Sequence, residues 1–145
     1  MSPSPEDIVA AARLWLGTPY RHQAATLGAG CDCVGLLRGV WRELYRKEPP
    51  AFPSYRADWR DLSHADELQT LADAWLRPAE GRLAVGQILL FRLGRLPLSK
   101  HCGILVGESR FVHAQERLGV VEVRLSENWR RRIAARFTFP PSENL

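Results

Sequence analysis

The stretch AGCDCVGLLRGVW, residues 29–41, joins a loop of small residues to the start of an amphipathic helix. Its apolar positions recur at helical spacing until the prolines at 49 and 50, at Val34, Leu37, Trp41, Leu44 and Tyr45. Cys33 falls in the predicted first turn, where unpaired backbone N–H groups and the helix dipole stabilise an anion and favour a nucleophilic thiolate. The same N–H groups suit an oxyanion formed when that sulfur attacks a carbonyl. Cys31 lies upstream in the loop, where no local feature activates it, so the pattern predicts one reactive cysteine.

Helical patterns come first along the chain and strand patterns follow. Residues 4–17, SPEDIVAAARLWLG, predict a helix capped by Ser4, and residues 63–76, SHADELQTLADAWL, predict a third helix capped by Ser63. After Gly81, short apolar runs separated by turn residues predict an antiparallel meander, in the segments GQILLFRLG, HCGILVGE, RFVHAQ, GVVEVRL and RIAARFTF. We therefore expect an α+β fold with N-terminal helices packed on an antiparallel sheet, in a single domain over residues 1–145.

Composition and charge narrow the classes of function. The net charge of +4 comes from scattered arginines without a nucleic-acid-binding motif, so we expect no direct contact with nucleic acid. The N-terminus lacks the basic and apolar segments of a signal peptide, and no apolar run approaches the length of a membrane span. We therefore expect synthesis in the cytoplasm without a signal peptide, and no membrane insertion. The three cysteines are an odd number, which argues against a disulfide scaffold.

A thiolate nucleophile needs a base, and the chain has four histidines. His101 begins the predicted strand HCGILVG, and His113 lies in the next strand, RFVHAQ. If these strands pair as a hairpin, both imidazoles lie near one end of the sheet on the same face. One can then contact the thiol while the other orients it. His22, in the loop after the first helix, either lines a substrate groove or is simply solvated, and His64 is expected at the surface.

Two other uses of the cysteines are weaker. A metal site would draw on Cys31, Cys33, Cys102, His101 and His113. The C-x-C spacing is tight for one tetrahedral ion, and adjacent strand residues such as His101 and Cys102 point to opposite faces. The spacing also differs from the C-x-x-C of thiol-redox proteins. We therefore expect no metal and no cofactor.

Five segments together resemble the NlpC/P60 family of cysteine peptidases: GTPYRHQ, GCDCVGLLRGVW, GQILLF, SKHCGILVG and RFVHAQ. The likeness is strongest to the phage-type branch, found in tail and baseplate proteins of phages and gene transfer agents. The resemblance implies a papain-like α+β fold. It also implies Cys33 as the nucleophile, His101 as the general base and His113 as the residue that orients the base. Tyr20 matches a tyrosine whose hydroxyl helps the Cys33 backbone N–H bind the oxyanion.

The residues around this set match the family in part. Asp32 matches the acidic residue before the nucleophile, which is expected to brace the helix start, and Asp32 and His22 are the candidates for substrate contacts. Val34 stands where the family has a serine after the nucleophile. Gln87 stands where the family has an aspartate before the first core strand.

The family resemblance implies a peptidoglycan endopeptidase. Its substrate would be the stem peptide, cut between D-γ-glutamyl and diaminopimelate, and its partners would be phage-like tail and baseplate proteins. The protein would be incorporated into a phage-like particle and would act at the target cell wall, in the periplasm. The alternative is a structural tail component whose catalytic set is vestigial, an interpretation that the changes at Val34 and Gln87 favour.

Overall fold

The computed structural model describes residues 2–50, 66–94 and 99–145. Three helices precede the main strands: α1 (Pro5–Leu14), α2 (Cys33–Tyr45) and α3 (Glu67–Trp75). A small two-stranded sheet of β1 (Ala25–Thr26) and β2 (Gly30–Cys31) lies between α1 and α2. The remaining elements are β3 (Arg77–Pro78), β4 (Ile88–Arg92), β5 (Ser99–Gly107), β6 (Arg110–Gln115), β7 (Gly119–Arg124), α4 (Glu127–Arg131), β8 (Ile133–Thr138) and a 3₁₀ turn, Ser142–Asn144.

The main sheet among these residues has six strands in the order β3-β8-β4-β5-β6-β7, and all neighbours are antiparallel. Helices followed by an antiparallel sheet confirm the predicted α+β class. No helix in the described part of the chain has the length and apolar character needed to cross a membrane.

The ends of the helices follow local capping chemistry. Ser4 caps α1 as predicted, because its hydroxyl accepts a hydrogen bond from the backbone N–H of Asp7 at 3.1 Å. α2 ends at Tyr45 because Arg46 adopts the left-handed conformation, with φ of 60°. The prolines at 49 and 50, predicted to stop this helix, lie beyond its actual end.

The third helix begins later than the sequence predicted. Its N-cap is Asp66, whose Oδ1 accepts a hydrogen bond from the N–H of Gln69 at 3.1 Å. The other carboxylate oxygen of Asp66 accepts a hydrogen bond from the N–H of Ser99 at 3.0 Å, which ties the helix to β5. The cap expected at Ser63 is therefore wrong. The carboxylate of Asp66 caps the helix and also binds a neighbouring strand. Ser63 and His64 lie outside the described residues.

The two faces of the sheet pack differently. One face carries the main core against the three helices, with Leu90 and Cys102 among its buried residues. The other face carries a smaller apolar cluster that includes Leu89, Phe91 and Phe111. Successive strand residues therefore alternate between a helix-covered side and a second side, as β geometry requires.

The position of the last strand differs from the predicted meander. β4 to β7 follow one another in space, but β8 returns to pair with β4, with Leu90 opposite Ala135. α4 connects β7 to β8 across the second face of the sheet and packs Trp129 against Phe91 and Phe111. Because this turn of helix carries the chain back across the sheet, β8 reaches the open edge of β4 and not the edge of β7.

A close helix contact holds α2 against α1. The indole of Trp15, at the C-terminal end of α1, lies directly over Gly39 of α2, where a β-carbon would overlap the ring. Both residues are buried in the main core. The absence of a side chain at Gly39 therefore sets how closely α2, the helix that begins at Cys33, approaches α1.

We expect Gly39→Ala to destabilise the protein. In an exposed helix interior, alanine is more stabilising than glycine by up to about 1 kcal/mol. Here, however, the added methyl group must displace Trp15, and such overpacking typically costs about 1–3 kcal/mol. Urea unfolding should show a lower midpoint than the wild type. Glu43→Ala, at an exposed position of the same helix, is the control and should change the midpoint little. A Gly39→Ala protein as stable as the wild type would contradict the contact with Trp15.

Candidate active site

The start of α2 is held by the carboxylate of Asp32. Its Oδ1 accepts a hydrogen bond from the N–H of Gly35 at 2.7 Å, and its Oδ2 accepts one from the N–H of Gln23 at 2.7 Å. The carbonyl of Ala24 lies against Gly35, where a β-carbon would not fit. One buried side chain thus caps the helix and joins it to the preceding loop, so Cys33 stands in the first turn, as predicted.

The burial of Asp32 also corrects one expectation. Its side chain has 0% exposure and is bonded to backbone N–H groups, so its carboxylate is not at a surface that a substrate can reach. Asp32 supports the helix start, as the sequence suggested. The expectation that Asp32 contacts the substrate directly is therefore wrong.

Tyr20 lies beside the strand that leads into α2. Tyr20 and Cys31 form a parallel bridge, in which the N–H of Cys31 donates to the carbonyl of Pro19 and the N–H of Arg21 donates to the carbonyl of Cys31, each at 3.0 Å. Tyr20 also packs against the main core. Tyr20 is therefore paired with Cys31, which lies two residues before Cys33 in the chain.

His22 lies near the surface at the same helix start. Its Nδ1 is 3.8 Å from Oδ2 of Asp32, and its side chain is 33% exposed. His22 is thus partly exposed beside Asp32, and its contact with a substrate stays a prediction.

His101 and His113 meet across the β5–β6 hairpin. Nε2 of His101 is 2.7 Å from Nδ1 of His113, and both side chains are buried. Ile104 is opposite Val112 in the ladder, so His113 stands across from Gly103 and His101 is its diagonal neighbour. The predicted hairpin and the shared face of the two histidines are confirmed.

Gly103 lies beside the histidine pair at a position with no room for a side chain. A β-carbon there would come within 2.8 Å of Cδ2 of Phe111 and 3.3 Å of Cβ of His113. Diagonal neighbours on a sheet are far enough apart that only long or ring side chains reach each other, and a side chain between them would block the contact. The glycine of the HCGIL segment therefore leaves space for Phe111 and His113 next to the hydrogen-bonded pair.

Three aromatic rings, which we call the aromatic cluster, surround the histidine pair: Phe91, Phe111 and Trp129. None of these three rings was predicted from the sequence to lie at the site. Strand alternation could have found Phe91 and Phe111, because Phe91 is directly opposite His101 and Phe111 is two residues before His113. No sequence signal places Trp129, since it reaches the pair from α4, a separate element.

Cys33 lies against the strand that carries His101. The thiol of Cys102 donates to the carbonyl of Cys33 at 3.5 Å, and Cys102 is the chain neighbour of His101. Cys102 belongs to the helix-side core, whereas His101 packs against Phe91 on the second face, as the predicted alternation requires. The start of α2 thus contacts β5 at Cys102, one residue from His101, whose ring lies on the other face of the strand.

Cys31 is unsuited to nucleophilic chemistry. Its side chain is fully buried, and the pKa of its thiol is raised to about 12, first by desolvation and then by the nearby Asp32 and Cys33. A thiol with so high a pKa carries very little thiolate near neutral pH. The structure therefore separates the two cysteines of the CDC segment chemically. In the described part of the chain, no group of three histidine, cysteine or acidic residues is arranged to hold a metal ion.

We expect iodoacetamide to modify Cys33 before Cys31 and Cys102. All three thiols are buried, but Cys33 stands at the N-terminus of α2, whereas burial raises the pKa of Cys31 to about 12. Peptide mass spectrometry of a time course at pH 7.5 should show Cys33 alkylated at least about tenfold faster than Cys31. Faster modification of Cys31 would overturn the assignment of Cys33 as the reactive cysteine.

We expect Gly103→Ala to separate the two histidines. The added methyl group must push His113 or Phe111 aside, which should lower the stability by about 1–3 kcal/mol. It should also remove the ring-nitrogen NMR shifts that report the His101–His113 hydrogen bond. Gly107→Ala is a matched control in the same strand, because a β-carbon there meets its nearest neighbour, Arg110, at an ordinary 3.7 Å. An unchanged histidine spectrum in Gly103→Ala would refute this role of the glycine.

Comparison with known proteins places this site in a family context. Residues 17–136 match the NlpC/P60 family. A Haemophilus influenzae protein named "Probable endopeptidase" is 29% identical over 126 residues, which are 80% of this chain and 66% of the relative. Murein DD-endopeptidase MepS/Murein LD-carboxypeptidase of Escherichia coli K12 is 30% identical over 119 residues, 81% of this chain and 54% of the relative. The chain thus spans only about half to two thirds of the length of these relatives.

Solved structures show the same fold. An NlpC/P60 family protein from Bacillus cereus superimposes with a TM-score of 0.67 at 16% identity, covering 97% of this chain and 42% of that one. The NlpC/p60 domain of the peptidoglycan hydrolase SagA superimposes with a TM-score of 0.59 at 19% identity, covering 96% of this chain and all of that domain. These matches confirm the α+β fold expected from the sequence motifs.

Proposed function

The chain belongs to the NlpC/P60 family, and we propose that it is a cysteine endopeptidase that hydrolyses stem peptides of peptidoglycan. The observation that carries this proposal is the 2.7 Å contact between His101 of β5 and His113 of β6, next to the point where Cys33 contacts β5. A nucleophile at a helix start, a base and a residue that orients the base are the parts a thiol hydrolase needs. The names of the curated relatives, which include a murein endopeptidase, support the substrate class.

The hydrogen bond between the histidines fits one assignment of the base. Nε2 of His101 lies 2.7 Å from Nδ1 of His113, so in the proposed mechanism the other ring nitrogen, Nδ1 of His101, takes the proton from the Cys33 thiol. In this mechanism the Nε2–H of His101 stays protonated and donates a hydrogen bond to Nδ1 of His113. His113 therefore holds the ring of His101 in orientation and stabilises the imidazolium that forms when the thiol is deprotonated.

The start of α2 would stabilise the transition state. The Cys33 thiolate attacks the carbonyl carbon of the scissile bond, and the backbone N–H of Cys33 with the hydroxyl of Tyr20 donates to the oxyanion. His101 next gives its proton to the leaving amine, and a thioester remains on Cys33. Water activated by His101 hydrolyses the thioester and releases the new carboxylate.

The bond proposed for cleavage is the one between D-γ-glutamyl and diaminopimelate. His22, partly exposed beside the helix start, is the described residue best placed for a substrate contact. Val34 replaces the family's serine and cannot offer a hydroxyl to the peptide. The amide of Gln87 accepts from Arg136 at 3.1 Å and donates to the carbonyl of Arg82 at 3.2 Å, so this replacement has a structural use.

We place the enzyme in a phage-like tail or baseplate, as the phage-type motifs suggest. Its partners would be other proteins of that particle, and it would be made without a signal peptide and act on the cell wall of the target. Residues 1–145 would form one peptidase domain. A vestigial structural role is the alternative, and it draws on the changes at Val34 and Gln87.

Mass analysis of digested peptidoglycan tests the activity and the bond together. We expect purified protein to release fragments with a new amine at diaminopimelate. Cys33→Ala should lower the rate by at least about 1,000-fold, because the nucleophile is lost. Cys31→Ala, the same change two residues away, should stay within about threefold of the wild type, because that thiol carries little anion.

Each outcome separates the hypotheses. If Cys33→Ala released as much product as the wild type, Cys33 would not be the nucleophile. Cleavage at another stem-peptide bond would correct the proposed specificity and keep the enzyme class. No product from the wild-type protein would favour the vestigial structural role.

A further inference from the structure

Trp129 covers the histidine pair from outside the sheet. Its ring centroid lies 4.9 Å from that of Phe91, 5.2 Å from Phe111, 5.5 Å from His113 and 6.1 Å from His101. The two phenylalanines and both histidines belong to neighbouring strands of one face, whereas Trp129 comes from α4. Of the aromatic cluster, Trp129 is therefore the one ring that the sheet itself does not supply.

Local bonds hold the short helix that carries this tryptophan. The hydroxyl of Ser126 accepts a hydrogen bond from the N–H of Trp129 at 3.3 Å, and the N–H of Arg132 donates to the carbonyl of Trp129 at 3.0 Å. The side chain of Arg130 donates to the hydroxyl of Ser109 in the β5–β6 turn at 3.2 Å. α4 is thus tied to the hairpin that carries the two histidines.

The ring separates the histidines from solvent. Trp129 is half-buried, whereas His101 is 4% and His113 is 1% exposed. The guanidinium of Arg132 stacks over the indole at 5.5 Å, a cation–π contact that favours one ring orientation. A hydrogen bond between imidazoles is stronger, and loses less to competing water, in such an apolar setting.

The contact angles show that Trp129 packs specifically. Its plane stands at 73° to Phe111 and His113 and at 65° to Phe91, which are edge-to-face arrangements that aromatic rings favour. Rotation of either imidazole out of its hydrogen bond would have to displace this packed indole.

We propose that Trp129 is a positioning residue, which keeps His101 and His113 in their hydrogen-bonded orientation and excludes water from them. The proposal rests on the peptidase function proposed above, because the orientation of His101 matters only if it serves Cys33. Trp129 acts through the histidines and does not contact the substrate. Its loss therefore lowers kcat and leaves KM unchanged.

The test compares Trp129→Ala with Trp129→Phe on a muropeptide substrate. Loss of the ring should lower kcat by about 10- to 100-fold, because a small misplacement of a catalytic group has effects of this size, with KM unchanged. Phenylalanine keeps an aromatic face, so Trp129→Phe should stay within about threefold of the wild-type kcat. Asn128→Ala, an exposed position of the same helix, is the control and should behave as the wild type.

Two further measurements do not depend on turnover. The imidazole nitrogen shifts should lose the signature of the hydrogen bond in Trp129→Ala and keep it in Trp129→Phe. Iodoacetamide should modify Cys33 more slowly in Trp129→Ala than in Trp129→Phe or the wild type, because a misoriented His101 deprotonates the thiol less well. These readouts remain usable if the wild-type protein cuts no peptidoglycan, so failure of the peptidase function and failure of this proposal can be distinguished.

The proposal has clear contrary outcomes. A wild-type kcat and histidine spectrum in Trp129→Ala would overturn it. A raised KM with unchanged kcat would also overturn it, because Trp129 would then contact the substrate. If Trp129→Ala does not fold, Trp129→Leu replaces it, and equal loss of kcat in the leucine and phenylalanine variants would indicate a structural role only.

Discussion

A buried carboxylate governs the geometry of the site. Asp32 lies at the point where the loop, β2 and α2 meet, and its two oxygens accept N–H bonds from the helix and from the loop. A buried carboxyl group is costly unless its oxygens are hydrogen-bonded, so these bonds hold both segments to one position. Asp32 thus fixes the helix start at Cys33, and His22 lies 3.8 Å from the same carboxylate, whereas Tyr20 is held by its backbone bridge to Cys31.

The second half of the site depends on an absent side chain. A β-carbon at Gly103 would come too close to Phe111 and His113, and the imidazoles of His101 and His113 are hydrogen-bonded beside this position. The rings then meet in apolar surroundings, with Phe91 on one strand and Trp129 on a separate helix. The start of α2 at Cys33 is supported by polar contacts and the histidine pair by apolar ones, and both lie against β5.

Local patterns predicted much of the fold, and their failures have physical causes. The serine cap of α1 and the four strands of the meander were recognisable because they depend on neighbours in the chain. Asp66 replaced Ser63 as the cap of α3, because an aspartate there also binds the N–H of Ser99. β8 lies beside β4 because α4 crosses the sheet first, and the sequence has no signal for that crossing.

By itself, the sequence determined the chemical inventory: Cys33 in a first helical turn, and His101 and His113 on one face of a hairpin. Helical spacing, strand alternation and family motifs all operate over short ranges of chain, so these features could be predicted. Only the tertiary structure decided which ring nitrogens meet, why the thiol of Cys31 has a pKa of about 12, and that Trp129 covers the histidines. The burial of a side chain and its hydrogen-bond partners depend on residues far apart in the chain, and a local sequence pattern does not predict which of these residues meet.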